Sequence, residues 1–316
     1  MKLKNISARI RRKFSWLKRI SIKHYVSSAS ISNHYSNIET EVKLLGGRQG
    51  TTIAIVVHLF YTESWESIGQ KISLITAFPF DIFVSLPKHN LSFRSEILKI
   101  FPSAYVYEAP NRGRDVLPFM AIAEVLYDIG YRHVLKLHSK KSTHRTDGSE
   151  WMNDILDSLV PNDITAQQEI IGILRQKNTA IVGPKGQYIS LKVNFEANGA
   201  HMTRVMTVLY SRNFAHRILQ LERGNFGFFA GTMFWVNLSA IKPLISISKR
   251  LVQFESENGQ IDATFAHAIE RLLCVVPESE KMAIFEVGAK GVKKVEYGSG
   301  VVPDWSGVYI GPRPKK

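Results

Sequence analysis

The run Thr52-Ile-Ala-Ile-Val-Val-His-Leu-Phe-Tyr61 decides the reading of the fold. Five aliphatic residues in a row, Ile53 to Val57, show no polar alternation, which describes a strand buried on both faces; Gly46-Gly47 marks a turn ahead of it. Working outward, a helical pattern runs from Glu63 to Ile75, and a second strand follows in Phe80-Asp-Ile-Phe-Val-Ser-Leu86. A short helix around Phe93 to Lys99, a third strand at Ala104-Tyr-Val-Tyr-Glu108, a helix from Leu117 to Ile129 and a strand at His133-Val-Leu-Lys-Leu-His138 continue the alternation. Strands alternating with helices predict βαβ units, hence an α/β fold with a mostly parallel sheet flanked by helices. Ligands of such sheets sit beyond the carboxyl ends of the strands, which points to His58 to Tyr61, Pro110 to Asp115 and His138 to Lys141.

The second half reads as a helix carrying Trp151 and Leu156, a turn at Pro161-Asn-Asp163, a helix through Ile170 to Leu174 and a strand Thr179-Ala-Ile-Val-Gly-Pro184. The run Asn225-Phe-Gly-Phe-Phe-Ala-Gly-Thr-Met-Phe-Trp-Val236 predicts a glycine-punctuated loop entering one strand, and Ala263 to Leu273 a helix opened by Asp262. With no internal repeat or Pro-rich linker, the expected division is a leader over residues 1–49, one α/β domain over 50–285, and a basic tail over 286–316.

The 316 residues carry 41 Lys+Arg against 27 Asp+Glu, a net charge of +14, which favours anionic partners. Nine basic residues fall between Met1 and Lys23, and the first acidic residue is Glu39, so the remainder holds only +5. A nearly balanced body argues against nucleic acid, whose binding needs a continuous basic stripe. Within the leader Ile6, Ile10, Phe14 and Leu17 recur at helical spacing among Lys and Arg, the pattern of an amphipathic basic helix on an anionic membrane surface through residues 1–24. A disordered basic arm and an organellar transit peptide are the competing readings. No run of 18 apolar residues occurs, so the expected location is cytoplasmic and peripheral, on the inner face of the cell membrane. Hydrophobic residues make up 45% of the chain, which excludes a disordered polymer, and the one cysteine, Cys274, lies in an apolar run and reads as a buried hydrophobe.

Two short segments carry the chemistry. Asn111-Arg112-Gly113-Arg114-Asp115 is a strand-to-helix loop with two guanidinium forks, suited to phosphate oxygens; a structural salt bridge is the alternative. Lys136-Leu-His138-Ser139-Lys140-Lys141-Ser142 is the densest basic patch of the body and suits a pyrophosphate whose charge grows as it leaves; a solvated loop is the alternative. The patch has no carboxylate for a hard divalent cation and no zinc-type histidine spacing, so no metal ligand is assigned. Trp151 and Trp235 are candidates for stacking on an acceptor sugar, with core packing as the competing role.

These residues resemble the rhamnan synthesis protein F family of polysaccharide-assembly glycosyltransferases. The likeness rests on Val57-His58-Leu59-Phe60-Tyr61, Pro110 to Val116, Leu135 to Ser142, Phe229-Ala-Gly-Thr-Met-Phe-Trp235 and Glu257-Asn-Gly-Gln-Ile-Asp262. It implies a GT-A-like layout and transfer of a sugar, rhamnose or another deoxyhexose, from a nucleotide-sugar donor (dTDP-rhamnose or similar) onto a lipid-linked glycan acceptor. Where many GT-A enzymes carry Asp-x-Asp, this chain has His138-Ser139-Lys140. On the resemblance His58, Asn111, Arg112, Arg114 and Asp115 hold the donor, while His138, Lys140 and Lys141 neutralise the diphosphate. Asp262, with Glu257 in reserve, takes the acceptor's proton, unless Asp262 is simply the cap of its helix. The rival reading is a non-catalytic scaffold with a sugar-nucleotide fold.

Overall fold

Burial on both faces makes the first strand the centre of the molecule. A computed structural model describes residues 51–139, 148–193, 195–247, 254–260 and 262–303. The strand β1 (Ile53–His58) is buried at every position because β2 (Asp81–Leu86) and β4 (His133–His138) pair with its two edges, both in parallel. Alternate residues face opposite layers. Ala54 and Val56 join a core built on α3 (Val116–Asp128), α6 (Phe195–Leu209), α8 (Leu238–Ile245) and α9 (Phe265–Ser279). Ile53, Ile55 and Val57 join a second core with α1 (Trp65–Ser73), α2 (Arg94–Ile100), α4 (Gly148–Leu159) and α5 (Ile164–Leu174).

The sheet has eight strands in the order β10-β9-β5-β8-β4-β1-β2-β3, where β3 is Tyr105–Glu108, β5 Thr179–Pro184, β8 Phe234–Asn237, β9 Ala283–Gly288 and β10 Gly291–Lys294. The protein is therefore α/β, with a mostly parallel sheet between two helical layers. Strand β8 runs antiparallel to both β4 and β5, and β10 is antiparallel to β9. A separate two-stranded sheet pairs β6 (Tyr188–Ser190) with β7 (Gly227–Phe229), and Val301 bridges to Ile189 beside it. A short helix α7 (Arg212–His216) lies between α6 and β7.

Three sequence expectations change. The run Asn225 to Val236 contains two strands of two sheets, β7 and β8, because Gly231 and Thr232 both adopt left-handed backbone (φ +83° and +53°) and turn the chain between them. The expected boundary at residue 285 falls inside β9, so the sheet carries on through Lys294. The last helix begins at Phe265; its cap is Thr264, with the His267 ring closing the box from the third helical position. Asp262 therefore lies ahead of the cap. Cys274 is fully buried, and burial pushes its thiol up. The leader over 1–49 lies outside the described residues; among those that are described, no helix is long and apolar enough to cross a membrane.

Candidate functional site

At the carboxyl rim the buried sheet becomes polar, one residue per strand. His138 of β4 is the register partner of His58 on β1, His58 that of Ser85 on β2, and Ser85 that of Tyr107 on β3. His58 Nδ1 lies 2.8 Å from Ser85 Oγ. Burial pulls the His58 ring down to about 4, reinforced by His138 and Lys136 and only partly opposed by Asp115, so it is neutral at pH 7. Burial likewise pushes the Tyr107 phenol up.

Two residues back along β4, Lys136 points to the same face and is 1% exposed. Its ammonium donates to Asp115 Oδ2 at 2.5 Å and to the Thr232 carbonyl at 2.7 Å, over the rings of Phe119 and Phe234. Burial alone would raise the Asp115 carboxyl, but His138 and Lys136 outweigh it and hold the group well below the usual carboxylate range. His138 Nε2 meets the Gly231 carbonyl at 2.6 Å, an atom that only accepts, so this nitrogen carries a proton. Asp115 Oδ2 is 3.8 Å from the same nitrogen. The rim thus has a buried carboxylate held between an ammonium and an imidazole.

The Asn111 to Asp115 loop has a structural task that its composition concealed. Arg112 is buried, and its two terminal nitrogens donate to the Phe254 carbonyl and to Ser256 Oγ, each at 2.9 Å. Arg114, itself in left-handed backbone (φ +56°), sends one nitrogen to His267 Nε2 at 3.0 Å and another to the Gln260 carbonyl at 2.6 Å, while Glu257 accepts from its backbone N–H. His267 Nε2 faces the guanidinium, which only donates, and its Nδ1 lies 2.7 Å from Thr264 Oγ1. Gly113 (φ +64°) lets the loop fit, since a Cβ there would lie 2.5 Å from the Phe254 ring. The two arginines clasp the segment from Phe254 to Gln260 onto the rim.

The structure therefore redistributes the expected roles. His58, Asp115 and His138 do converge at the rim, joined by Lys136; Asn111 is exposed beside them. Arg112 is withdrawn from any ligand, because its fork is filled by a carbonyl and a hydroxyl. Arg114 stays 37% exposed. Trp235 is no acceptor platform: it is 1% exposed and its indole N–H donates to the Leu159 carbonyl within the core. Trp151 is also buried, bonded to Gln187 Oε1 and packed on Gly231, where a Cβ would come within 2.7 Å of its ring. Asp262 is occupied on both oxygens, Oδ1 by Asn198 and the Ala263 N–H and Oδ2 by Arg271; burial would raise its carboxyl, but Arg271 and Asn198 lower it. Glu257 braces Arg114. Lys140 and Lys141 lie outside the described residues.

Sequence reasoning missed Lys136 as the hub, Thr232 and Glu270. The signal for Lys136 was available: a lysine inside an otherwise apolar strand needs a buried partner. The Thr232 hydroxyl donates to Glu270 Oε1, which ties α9 to the same turn that Lys136 and His138 hold. Among the described residues no three His, Cys, Asp or Glu side chains converge as a metal site.

The rhamnan synthesis protein F family model matches residues 12–282. The chain belongs to this family. The uncharacterized protein WxcX of Xanthomonas campestris pv. campestris is 37% identical over 164 residues, covering 52% of this chain and 22% of the relative. Its counterpart in strain B100 is 37% identical over 169 residues with the same coverage. The chain spans about a fifth of the length of the curated relatives it matches. No solved structure matches it significantly. The family takes its description from rhamnan synthesis.

Proposed function

We propose that the protein is a GT-A-like glycosyltransferase that moves a sugar, rhamnose or another deoxyhexose, from a nucleotide-sugar donor onto a lipid-linked glycan. The observation that carries the reading is the polar row closing the carboxyl rim, with buried Lys136 and His138 and the partly covered Asp115 at its centre, where open α/β sheets take their ligands. The chain leaves β4 at Ser139, whose N–H donates to the His58 carbonyl and whose hydroxyl accepts from the Tyr61 N–H. Lys140 and Lys141 follow in the sequence, and on this reading they meet the donor diphosphate, where fixed cations stabilise the departing phosphate. Arg114, partly exposed on the rim, can offer a phosphate oxygen only the N–H groups that its bonds to His267, Gln260 and Glu257 leave over.

Calorimetry with dTDP, UDP and GDP, followed by turnover on a polyprenyl-linked acceptor, tests the reading. One nucleotide should bind, and Lys140→Ala with Lys141→Ala should abolish transfer while leaving the melting temperature unchanged. Absence of binding by all three would favour the scaffold alternative, for which the internal engagement of Arg112, Asp115 and Lys136 speaks. The basic leader is proposed to hold the enzyme on anionic lipid: residues 25–316 should fail to float with phosphatidylglycerol vesicles that carry the full chain.

A further inference from the structure

Five described carboxylates lie on the loop 111–115, the segment 254–262 and the first two turns of α9, and four are committed. Asp115 is bonded to Lys136 and faces His138. Asp262 is bonded to Asn198, the Ala263 N–H and Arg271. Glu257 holds Arg114 through both oxygens, and both oxygens of Glu255 face the Phe265 N–H at the start of α9. Glu270 differs: Oε1 accepts from the Thr232 hydroxyl, and among the described residues no hydrogen bond is seen to Oε2, although the carboxylate's charge bears on His267 one turn back. It is partly exposed on the second turn of α9.

Its contact is an unusual one. Thr232 is β-branched and sits at φ +53°, a conformation that such a side chain rarely adopts. Strain of this kind persists where the surroundings over-determine it and is a pointer to function. Here the surroundings are Lys136 on the Thr232 carbonyl, His138 on the Gly231 carbonyl and Glu270 on the hydroxyl. One strained turn connects Glu270 to the buried charges of the rim.

We propose that Glu270 is the base that deprotonates the acceptor hydroxyl, with Thr232 as the residue that orients it. This rests on the glycosyltransferase reading. Oε2 takes the acceptor's proton, the acceptor oxygen forms its bond to the anomeric carbon, and the bond from that carbon to the diphosphate breaks, its electron pair leaving on the nucleoside diphosphate. The displacement is single and inverts the anomeric centre.

The test compares the full chain with Glu270→Gln, Glu270→Ala and Asp262→Asn, using whichever of the dTDP-, UDP- or GDP-sugars the wild type turns over. Glu270→Gln keeps an acceptor for the Thr232 hydroxyl, so it should bind the nucleotide within twofold of wild type and melt within about 2 °C. Its kcat should fall about 100-fold or more, with loss of the acid limb of the pH–rate profile. Added formate should restore part of the turnover of Glu270→Ala, and Asp262→Asn should lose stability but keep kcat within tenfold. Turnover of Glu270→Gln within tenfold of wild type, or an unchanged acid limb, overturns the assignment while leaving the glycosyltransferase reading intact. A wild type that neither binds nor turns over any of the three donors overturns both.

Discussion

Replacing Lys136 by Met should be among the most damaging single changes in the protein, although it removes almost no volume. The ammonium is 1% exposed, and it meets a carboxylate at 2.5 Å and a carbonyl at 2.7 Å. Lys136→Met leaves the Asp115 carboxylate in the same low-dielectric place without its cation, and the Thr232 carbonyl without its donor. Removing one partner of a buried pair costs about 3–5 kcal/mol. Asp115→Asn should cost a similar amount by stranding the ammonium. The double variant carries neither charge, and replacing a buried pair as a whole is close to neutral. If the effects simply added, the double variant would lose roughly 6–10 kcal/mol, much of a typical domain's stability. Coupling of at least about 3 kcal/mol should hold it well short of that. Urea unfolding followed by tryptophan fluorescence, with far-UV circular dichroism as the second probe, gives the four midpoints of the cycle. Single variants that each cost under about 1 kcal/mol, or a double variant equal to their sum, would refute the reasoning.

Three further outcomes are expected. Because the folded-state value of His58 is about 4 and the ordinary one 6.5, the unfolded chain binds more protons between them, and His58 should contribute a stability loss of roughly 1.6 kcal/mol on going from pH 6.5 to pH 5, beside that of His133, which burial also pulls down to about 4. His58→Asn should lessen that slope in a pH series of urea midpoints; an unchanged slope would place the proton elsewhere. Gly113→Ala forces a Cβ into the Phe254 ring and the Leu117 side chain at left-handed backbone, and should cost about 3 kcal/mol by denaturant midpoint. Lys281→Gly, at φ +64° just past α9 and exposed, should raise stability by about 1 kcal/mol, seen as a higher melting temperature.

The central strands were legible because burial on both faces leaves a continuous apolar run. The limits of β4 and β5 match the expectation residue for residue, and β1 lies within its predicted run. Strand direction was not legible: the apolar run of β8 reads the same parallel or antiparallel, and its orientation follows from the turn at Gly231 and Thr232. Strands β9 and β10, at one end of the sheet, carry Glu286 at a half-covered position and Lys293 and Lys294 at exposed ones, so they lacked the signal that betrays a central strand. At the site, topology pointed to the rim, but Arg112 grips a carbonyl and a hydroxyl, partners that a guanidinium fork suits as well as a phosphate. A tryptophan in a strand gives no hint of whether its ring meets a sugar or Phe78, as Trp235 does. Glu270 looked like one more charged position on an amphipathic helix until its neighbour's strained backbone was visible.

The arginine clasp also orders events in time. The bonds from Arg112 and Arg114 to Phe254, Ser256, Gln260 and His267 span 142–153 residues of chain. Strands β1 to β4, by contrast, are neighbours in both sequence and space. Closing so long a loop is entropically expensive, and contacts of that separation form late. A nascent or refolding chain should therefore hold a recognisable half-sheet before it holds a competent rim. Nucleotide binding should return later than secondary structure does, with the gap set by the docking of α9.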